Sequence, residues 1–264
     1  MRRGFKIVIA VVVAALGVNM VAAHAEAAAG SVLFAVTPPA GTSLVTNEYA
    51  FWNPSVSSAV LSKDWEMNSG SLFTHDTDAG PAYWSGKVDD ISPDAKSVKG
   101  TNSSIFRMTT KRADFKDTET RVKLKIDSQT QTKATPVTDW DGVHIFLRYQ
   151  SEESLYYASI ARRDGSVVIK KKCPGGPSNG GTYYTLGSKS GFKISMGQWR
   201  WYAADVQTNT DGSVTLGISR VGTKIFTITD KGTGCAPITG AGKTGLRGDN
   251  SDFSFQGFRV TTLN

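Results

Sequence analysis

Short runs in which apolar and polar residues alternate recur along the chain from residue 104 onward, and turn-forming residues separate them. In the stretch 142–149, for example, Val143, Ile145 and Leu147 alternate with polar or aromatic residues. Asp-Gly pairs at 164–165 and 211–212 fall between such runs, and Asp-Gly readily adopts the positive φ of a hairpin turn. A period of two predicts strands, and hairpins join antiparallel neighbours. The sequence therefore predicts an all-β fold, a two-sheet antiparallel β-sandwich of the jelly-roll type.

Strand-like runs account for most of the chain after residue 100. They lie at 104–111, 119–126, 142–149, 155–161, 166–172, 182–186, 199–206, 213–219, 223–229, 242–247 and 253–261. Residues 30–100 are less regular, so we expect one or two strands with long loops that pack on the sandwich. No linker or repeat divides the chain, and residues 30–264 are predicted to form a single domain.

The first 29 residues match the pattern of a cleavable signal peptide. Arg2, Arg3 and Lys6 precede an apolar run at 7–18, and three overlapping Ala-x-Ala sites follow at 23–29. A membrane anchor would need about 20 apolar residues, and Asn19 interrupts this run too early. We therefore expect a secreted, extracellular protein without a membrane span. Removal of residues 1–27 takes away three Lys/Arg and one Glu, which lowers the net charge from +7 to +5.

The only two cysteines, Cys173 and Cys235, both follow the predicted signal peptide. An oxidising compartment favours a disulfide between them, which would close a loop of about 60 residues and stabilise the fold by about 4 kcal/mol. The alternative is a reactive thiol, which would need a basic partner nearby.

Several kinds of chemistry are disfavoured by what the sequence lacks. Only His75 and His144 follow the signal segment, and no zinc-binding, nucleophile-elbow or nucleotide-binding motif occurs. We expect no metal cofactor, no nucleic-acid partner and a monomer. One alternative remains open, a structural Ca²⁺ bound by oxygen-bearing residues in loops, namely Asp139, Asp141, Asp249, Asn250 and Asp252.

The stretch 142–149 also suggests a functional face. Strand alternation puts Val143, Ile145, Leu147 and Tyr149 in the core, and His144, Phe146 and Arg148 on the opposite, exposed face. The imidazole of His144 and the guanidinium of Arg148 would then lie about 7 Å apart.

Neighbouring strands add cations and phenols to the same predicted face. We expect ligand contacts from Arg107, Lys170, Lys172, Trp140, Tyr183 and Tyr184, with Lys171 extending the charge and one of Tyr156 and Tyr157 facing outward. Cations neutralise carboxylates, and aromatic rings stack on sugar faces. The face is therefore suited to an anionic polysaccharide, although exposed Lys and Arg can also be merely solvated.

Three functions fit such a face. The first is a carbohydrate-binding module. The second is a polysaccharide lyase that cleaves a uronate-containing glycan by β-elimination, with His144, Arg148 and Tyr157 as catalytic residues. The third is a structural or adhesion domain without a sugar site. A glycosidase is disfavoured because no strand carries the paired carboxylates that it needs.

The C-terminal half resembles the concanavalin A-like lectin/glucanase superfamily, including laminin-G-like domains. The similarity rests on Gly245-Leu246-Arg247-Gly248-Asp249-Asn250 followed by 253–260, and on Trp199 with Asp211-Gly212-Ser213. It covers about residues 100–264. The resemblance implies a two-sheet jelly roll that binds or cleaves polysaccharides on its concave face. The glucanase carboxylate motif and the alginate-lyase motifs are absent, so no catalytic residue is carried over.

Overall fold

A computed structural model describes residues 30–88, 101–102, 104–133 and 135–263. The predicted signal peptide lies outside the described residues. In chain order, the elements are β1 (Val32–Ala35), β2 (Ser43–Asn47), α1 (Glu48–Trp52), β3 (Trp65–Ser69), β4 (Ser71–Thr77), β5 (Gly80–Trp84), β6 (Lys87–Val88), β7 (Thr101–Asn102), β8 (Ile105–Thr110), β9 (Thr118–Gln129), β10 (Gly142–Ser151), β11 (Ser154–Arg162), β12 (Val167–Ser178), β13 (Gly181–Lys189), β14 (Arg200–Thr208), β15 (Val214–Arg220), β16 (Thr223–Asp230), β17 (Lys243–Asp249) and β18 (Ser251–Thr262).

Two antiparallel sheets form a sandwich, as predicted. The first, which we call the pocket sheet, has the order β13-β12-β11-β10-β17-β8-β3. The second, the back sheet, has the order β16-β15-β14-β9-β18-β5-β4-β2, and β1 also pairs with β18. The strands β6 and β7 form a separate two-stranded parallel pair. Each of the eleven runs predicted after residue 100 corresponds to one of the strands β8 to β18.

The predicted hairpins connect the expected strands. Residues 163–166 join β11 to β12, residues 209–213 join β14 to β15, and residues 221–222 join β15 to β16. Gly165 and Gly212 have φ values of 71° and 80°, in the region where a side chain is disfavoured. These turns fix the register of three neighbouring pairs of strands.

The core lies between the two sheets and follows the predicted alternation. On β9, Val122, Leu124 and Ile126 are buried, and the residues between them are partly exposed. They belong to one hydrophobic cluster with apolar residues of both sheets, including Val143 and Phe253. Burial of this apolar area between the layers supplies the main driving force for folding.

Residues 30–88 contain more strands than the sequence predicted. Instead of one or two strands with long loops, β1 to β5 all pair into the two sheets, β3 on the pocket sheet and the others on the back sheet. Their polar residues hid the pattern, since Thr46, Asn47, Ser69, Ser71 and Thr74 are buried. Hydrogen bonds that satisfy these side chains allow strands to form without clean apolar alternation.

The disulfide between Cys173 and Cys235 is present, as predicted, with its Cα atoms 6.0 Å apart. It ties β12 to the segment 231–242. This segment is also held by Tyr156, whose hydroxyl accepts a hydrogen bond from the backbone N–H of Ile238 at 3.0 Å. No helix in the described part of the chain is long and apolar enough to cross a membrane.

Candidate functional site

A β-bulge on β10 sets the composition of the candidate site. Phe146 pairs with Gly245 of β17, but the next pair is Tyr149 with Lys243, so β10 has one extra residue. Arg148 lies in the bulge and has a positive φ of 45°. Because one extra residue reverses the alternation, Tyr149 instead of Arg148 lies on the face that carries Phe146.

The prediction that Arg148 shares a face with His144 is therefore wrong. Arg148 is 1% exposed, and its Nε and Nη1 donate to the carbonyl oxygens of Lys116 and Ile238 at 2.8 and 2.6 Å. Its Nη2 donates to Asp117 Oδ1 and to Thr208 Oγ1, both at 2.8 Å. These four hydrogen bonds give the guanidinium of Arg148 a structural role. Tyr149, which was predicted to lie in the core, lies on the outer face in place of Arg148.

A cavity of about 390 Å³ opens on the outer face of the pocket sheet. Six strands and two hairpin loops contribute to its wall, together with Trp140 from the segment before β10. Its lining residues are Ile105, Arg107, Trp140, Phe146, Tyr149, Glu152, Leu155, Tyr157, Lys170, Lys172, Ser178, Asn179, Tyr183 and Arg247. Six of the nine predicted catalytic and ligand-binding residues are among them: Arg107, Trp140, Tyr157, Lys170, Lys172 and Tyr183.

The floor of the cavity is apolar and aromatic. Phe146, Leu155 and Tyr157 form a buried cluster separate from the main core, and Tyr149 packs against it. The ring of Tyr157 lies 5.8 Å from that of Tyr183. Trp140 is 50% exposed at the edge of the cavity. Such a surface can accept the apolar face of a sugar ring.

Two arginines lie opposite each other on β8 and β17, and each has an acidic partner. Arg107 Nη1 lies 3.3 Å from Glu152 Oε2, and Arg247 Nη2 lies 2.8 Å from Asp249 Oδ1. Asn68 Nδ2 donates to Glu152 Oε1 at 2.6 Å, which fixes the other oxygen of that carboxylate. The two arginines are therefore held in place before any ligand arrives.

The two cavity-facing lysines have few or no anionic partners. Lys172 Nζ donates to the carbonyl oxygen of Glu152 and lies 5.1 Å from the ring centre of Tyr183. Among the described residues, Lys170 has neither an ion pair nor a hydrogen bond from its ammonium group. Burial lowers the pKa values of both lysines, and nearby arginines lower them further.

Lys171, by contrast, does not extend the charge of this face as predicted. It is fully buried between the sheets, and its Nζ donates to Asp230 Oδ2 at 2.7 Å. Tyr156 donates to the same oxygen at 2.7 Å. Strand alternation explains the difference, since residues 170 and 172 lie on one face and residue 171 on the other.

His144 lies on the predicted face but is fully buried. Its ring stacks on Tyr157 with centres 4.4 Å apart, Nδ1 lies 2.9 Å from Ser159 Oγ, and Nε2 lies 3.2 Å from Asp249 Oδ2. Burial lowers the pKa of His144 to about 4, so the imidazole is neutral near pH 7. His144 does not line the cavity, because the ring of Tyr157, which does line it, stacks over the imidazole.

Tyr184 lies away from the cavity, contrary to the prediction. It pairs with Lys171 across the sheet and therefore lies on the inner face. Its ring packs against Gly234, beside the disulfide, so closely that a Cβ at residue 234 would lie 2.4 Å from the ring. Only Tyr183 of the pair Tyr183-Tyr184 reaches the cavity.

The oxygen-bearing residues considered for Ca²⁺ have separate partners. Asp141 contacts Thr138, Arg163 and Asn250, whereas Asp252 accepts a hydrogen bond from Trp84 Nε1 at 2.6 Å. The described residues contain no group of three or more His, Cys, Asp or Glu side chains that could hold a metal ion.

Sequence reasoning missed five polar residues that line the cavity, namely Tyr149, Glu152, Ser178, Asn179 and Arg247. Arg247 was visible, because Leu246 faces the core and alternation turns Arg247 outward. Glu152 lies in the β10–β11 hairpin, where no periodicity applies. The bulge moves Tyr149 from the inner face, where strand alternation places it, to the outer face. No feature of the sequence predicts this bulge.

No family model matches the sequence, and no curated protein matches it significantly. Solved structures do share the fold. One comes from work in which members of the human gut microbiota express endo-acting O-glycanases that initiate mucin breakdown. It has a TM-score of 0.50 and 11% identity, over 89% of this chain and 100% of that chain.

Two further similar structures have lower scores. A protein of unknown function with a galectin-like fold from Bacillus subtilis has a TM-score of 0.47 and 10% identity, over 89% of this chain and 97% of that one. A β-1,3-1,4-glucanase (lichenase) from a mouse hindgut metagenome has a TM-score of 0.46 and 13% identity, over 78% and 96%. The concanavalin A-like jelly-roll fold expected from the sequence resemblance is confirmed.

Proposed function

We propose that the protein is a secreted carbohydrate-binding protein that holds a segment of an anionic polysaccharide in the cavity of the pocket sheet. The observation that carries the proposal is an imbalance of charge. Four cations line the cavity with a single carboxylate, that of Glu152. Lys170 faces the cavity, is half-buried and has no ion-pair or hydrogen-bond partner for its ammonium group among the residues that the structure describes. A half-buried cation gains from an anion that replaces its lost hydration.

The aromatic lining supports a sugar as the carrier of that anion. Tyr149, Tyr157, Tyr183 and Trp140 supply ring faces and polar edges within one cavity. Burial raises the pKa values of Tyr149 and Tyr157, so both hydroxyls stay protonated and can donate hydrogen bonds. Stacking on sugar C–H groups and donation to sugar oxygens are both available to such phenols.

Catalysis by the residues predicted for a lyase is disfavoured. β-Elimination needs a cation, a base and an acid around one sugar unit. Arg148 is buried elsewhere, and His144 lies beneath the cavity lining. Hydrolysis is also disfavoured, because a glycosidase needs two carboxyl groups that flank the scissile bond. Glu152 is the only carboxylate among the cavity residues, and it is engaged by Arg107 and Asn68.

Secretion fits the rest of the molecule. The disulfide is of the kind that persists in oxidising compartments, and extracellular polysaccharides are the ligands that such a compartment supplies. The shared fold with glycan-active proteins is an analogy at the level of the fold, and it points to carbohydrates without naming one. We propose a monomer with one polysaccharide-binding cavity.

The test is calorimetric titration of the mature protein with oligosaccharides of equal length. We expect binding of oligogalacturonate or oligoalginate, negligible binding of neutral cello-oligosaccharides, and weakening of the uronate affinity as salt rises. Absence of the 235 nm absorbance of unsaturated uronates would separate binding from lyase activity. Equal binding of charged and neutral sugars, or no binding at all, would contradict the proposal.

A further inference from the structure

Behind Arg247 lies a chain of buried polar side chains that the proposed function does not use. Asp249 and Ser159 flank His144, and their exposed fractions are 5% and 0%. All three belong to central strands of the pocket sheet, β17, β10 and β11. Burial of these groups costs free energy unless each is paired, so their arrangement calls for an explanation.

Asp249 grips Arg247 through several contacts. Arg247 Nε lies 2.9 and 3.0 Å from the two carboxylate oxygens, and Nη2 lies 2.8 Å from Oδ1. The Arg247 charge and the contact with His144 lower the pKa of Asp249, although burial acts against them. Asp249 is therefore a carboxylate near neutral pH.

The carboxylate defines the tautomer of His144. Nε2 lies 3.2 Å from Asp249 Oδ2, a close contact that lacks hydrogen-bond geometry. Because a carboxylate can only accept, an unprotonated Nε2 would be repelled there, and we infer that the neutral imidazole carries its proton on Nε2. Nδ1 is then an acceptor, and Ser159 Oγ donates to it at 2.9 Å. Ser159 has no access to solvent, which removes it as a nucleophile even though Ser, His and Asp stand in a row.

The guanidinium at the end of this row reaches the cavity. Arg247 Nη1 donates to the hydroxyl of Tyr183 at 3.2 Å, on β13 at the edge of the sheet. Asp249 and Tyr183 thus take three of the five N–H groups, and two remain for a ligand. The side chain is 19% exposed, so these donors are fixed in direction and still accessible.

We propose that Ser159, His144 and Asp249 form a positioning relay that orients Arg247 toward the acidic group of the bound glycan. The inference rests on the proposed function. A long arginine side chain loses conformational entropy when a ligand fixes it in one orientation. If the relay already holds the guanidinium in that orientation, this entropy is lost on folding and does not weaken binding. His144 acts through Arg247 and touches no ligand.

A double-mutant cycle tests the relay. His144→Gln is expected to weaken oligogalacturonate binding about three- to tenfold in the wild-type protein and to have no effect when Arg247→Gln is already present. His75→Gln is the matched control, because His75 Nε2 also contacts a serine, Ser254 Oγ at 2.9 Å, but on the back sheet. It should leave the affinity unchanged. An equal loss from His144→Gln in both backgrounds would overturn the relay.

The histidine tautomer gives an independent readout without a ligand. Nitrogen-15 NMR of the wild-type protein at pH 7 should show the proton of His144 on Nε2. A proton on Nδ1 or a charged ring would overturn the relay even if the glycan binds. If no uronate binds while the tautomer is as expected, the proposed function fails and the role of the relay in glycan binding fails with it. The buried row of Ser159, His144 and Asp249 would then have a structural role only.

Discussion

Three consecutive lysines on β12 have opposite environments. Lys171 points between the sheets, where Asp230 neutralises it and both side chains are fully buried. Lys170 and Lys172 point into the cavity, where neither forms an ion pair with any of the described residues. The inner face thus contains charges that are satisfied within the fold, and the outer face contains charges that a ligand can satisfy. Identical side chains acquire different roles because alternate strand residues face opposite sides.

The same contrast separates the two arginine environments. Arg148 has all of its contacts within the fold and lies behind the sheet, whereas Arg247 keeps two donors toward the cavity. A charge on the inner face is expected to affect stability alone. A charge on the outer face is expected to affect ligand binding with little effect on stability.

The largest effect is expected at Lys171. Lys171→Met removes the counterion of buried Asp230 and should destabilise the protein by about 3 to 5 kcal/mol, a drop of roughly 6–20 °C in Tm. Lys170→Met, one residue away on the opposite face, should change stability by less than about 1 kcal/mol, because its ammonium group has no partner among the described residues. Urea unfolding of both variants checks the contrast. Equal destabilisation of the two would show that the faces do not differ.

Arg148 should behave like Lys171. Arg148→Met breaks the four contacts to the main chain and to Asp117 and Thr208, and we expect a loss of about 3 to 4 kcal/mol. The affinity of the folded variant for oligogalacturonate should equal that of the wild type. A large loss of affinity in Arg148→Met at unchanged stability would contradict this account. It would show that Arg148 contacts the ligand, as strand alternation alone predicts.

The sequence predicts the site residues correctly where strand alternation is regular. Lys170, Lys172, Arg107 and Tyr157 follow from a period of two, and all line the cavity. The bulge at Arg148 depends on backbone pairing with β17, which leaves no mark on β10 itself. The burial of His144 depends on tertiary contacts with Tyr157 and with Asp249, which lies more than 100 positions away in the sequence.

The N-terminal strands illustrate a second limit. Their buried residues include many hydroxyl and amide side chains, whose hydrogen-bond partners lie elsewhere in the chain. Asn47 Nδ2, for example, donates to the carbonyl oxygen of Ser58. Hydrophobic periodicity does not detect strands whose burial is made possible by such tertiary hydrogen bonds.

The pH dependence of stability tests the buried histidine. The pKa of His144 is about 4 in the fold and about 6.5 in the unfolded chain, so the unfolded state binds more protons between these values. Its contribution is complete above pH 6.5 and declines by about 3 kcal/mol as the pH falls to 4.

The measurement is the difference between wild type and His144→Gln in urea unfolding across this range. The subtraction is needed because Asp252, whose pKa burial raises to about 6, acts in the opposite direction. A difference that does not vary with pH would contradict the neutral, buried state of His144.

A smaller effect is expected at the aromatic edge of the cavity. Trp140→Ala removes a half-exposed ring and should weaken glycan binding about fivefold, equivalent to about 1 kcal/mol. Trp52→Ala is the control, since Trp52 is 64% exposed on α1 and does not line the cavity. Equal effects of the two variants would show that Trp140 does not contact the glycan.

The most direct test of the contrast between the two faces is titration of Lys170→Gln with oligogalacturonate. The substitution removes the partnerless charge and keeps a polar side chain. We predict roughly ten- to hundredfold weaker binding, the value of a charge-assisted hydrogen bond, with an unchanged Tm. Lys63→Gln, which alters an exposed lysine paired with Asp64, should bind as the wild type does. Wild-type affinity in Lys170→Gln would contradict the claim that the unneutralised outer face is the binding site.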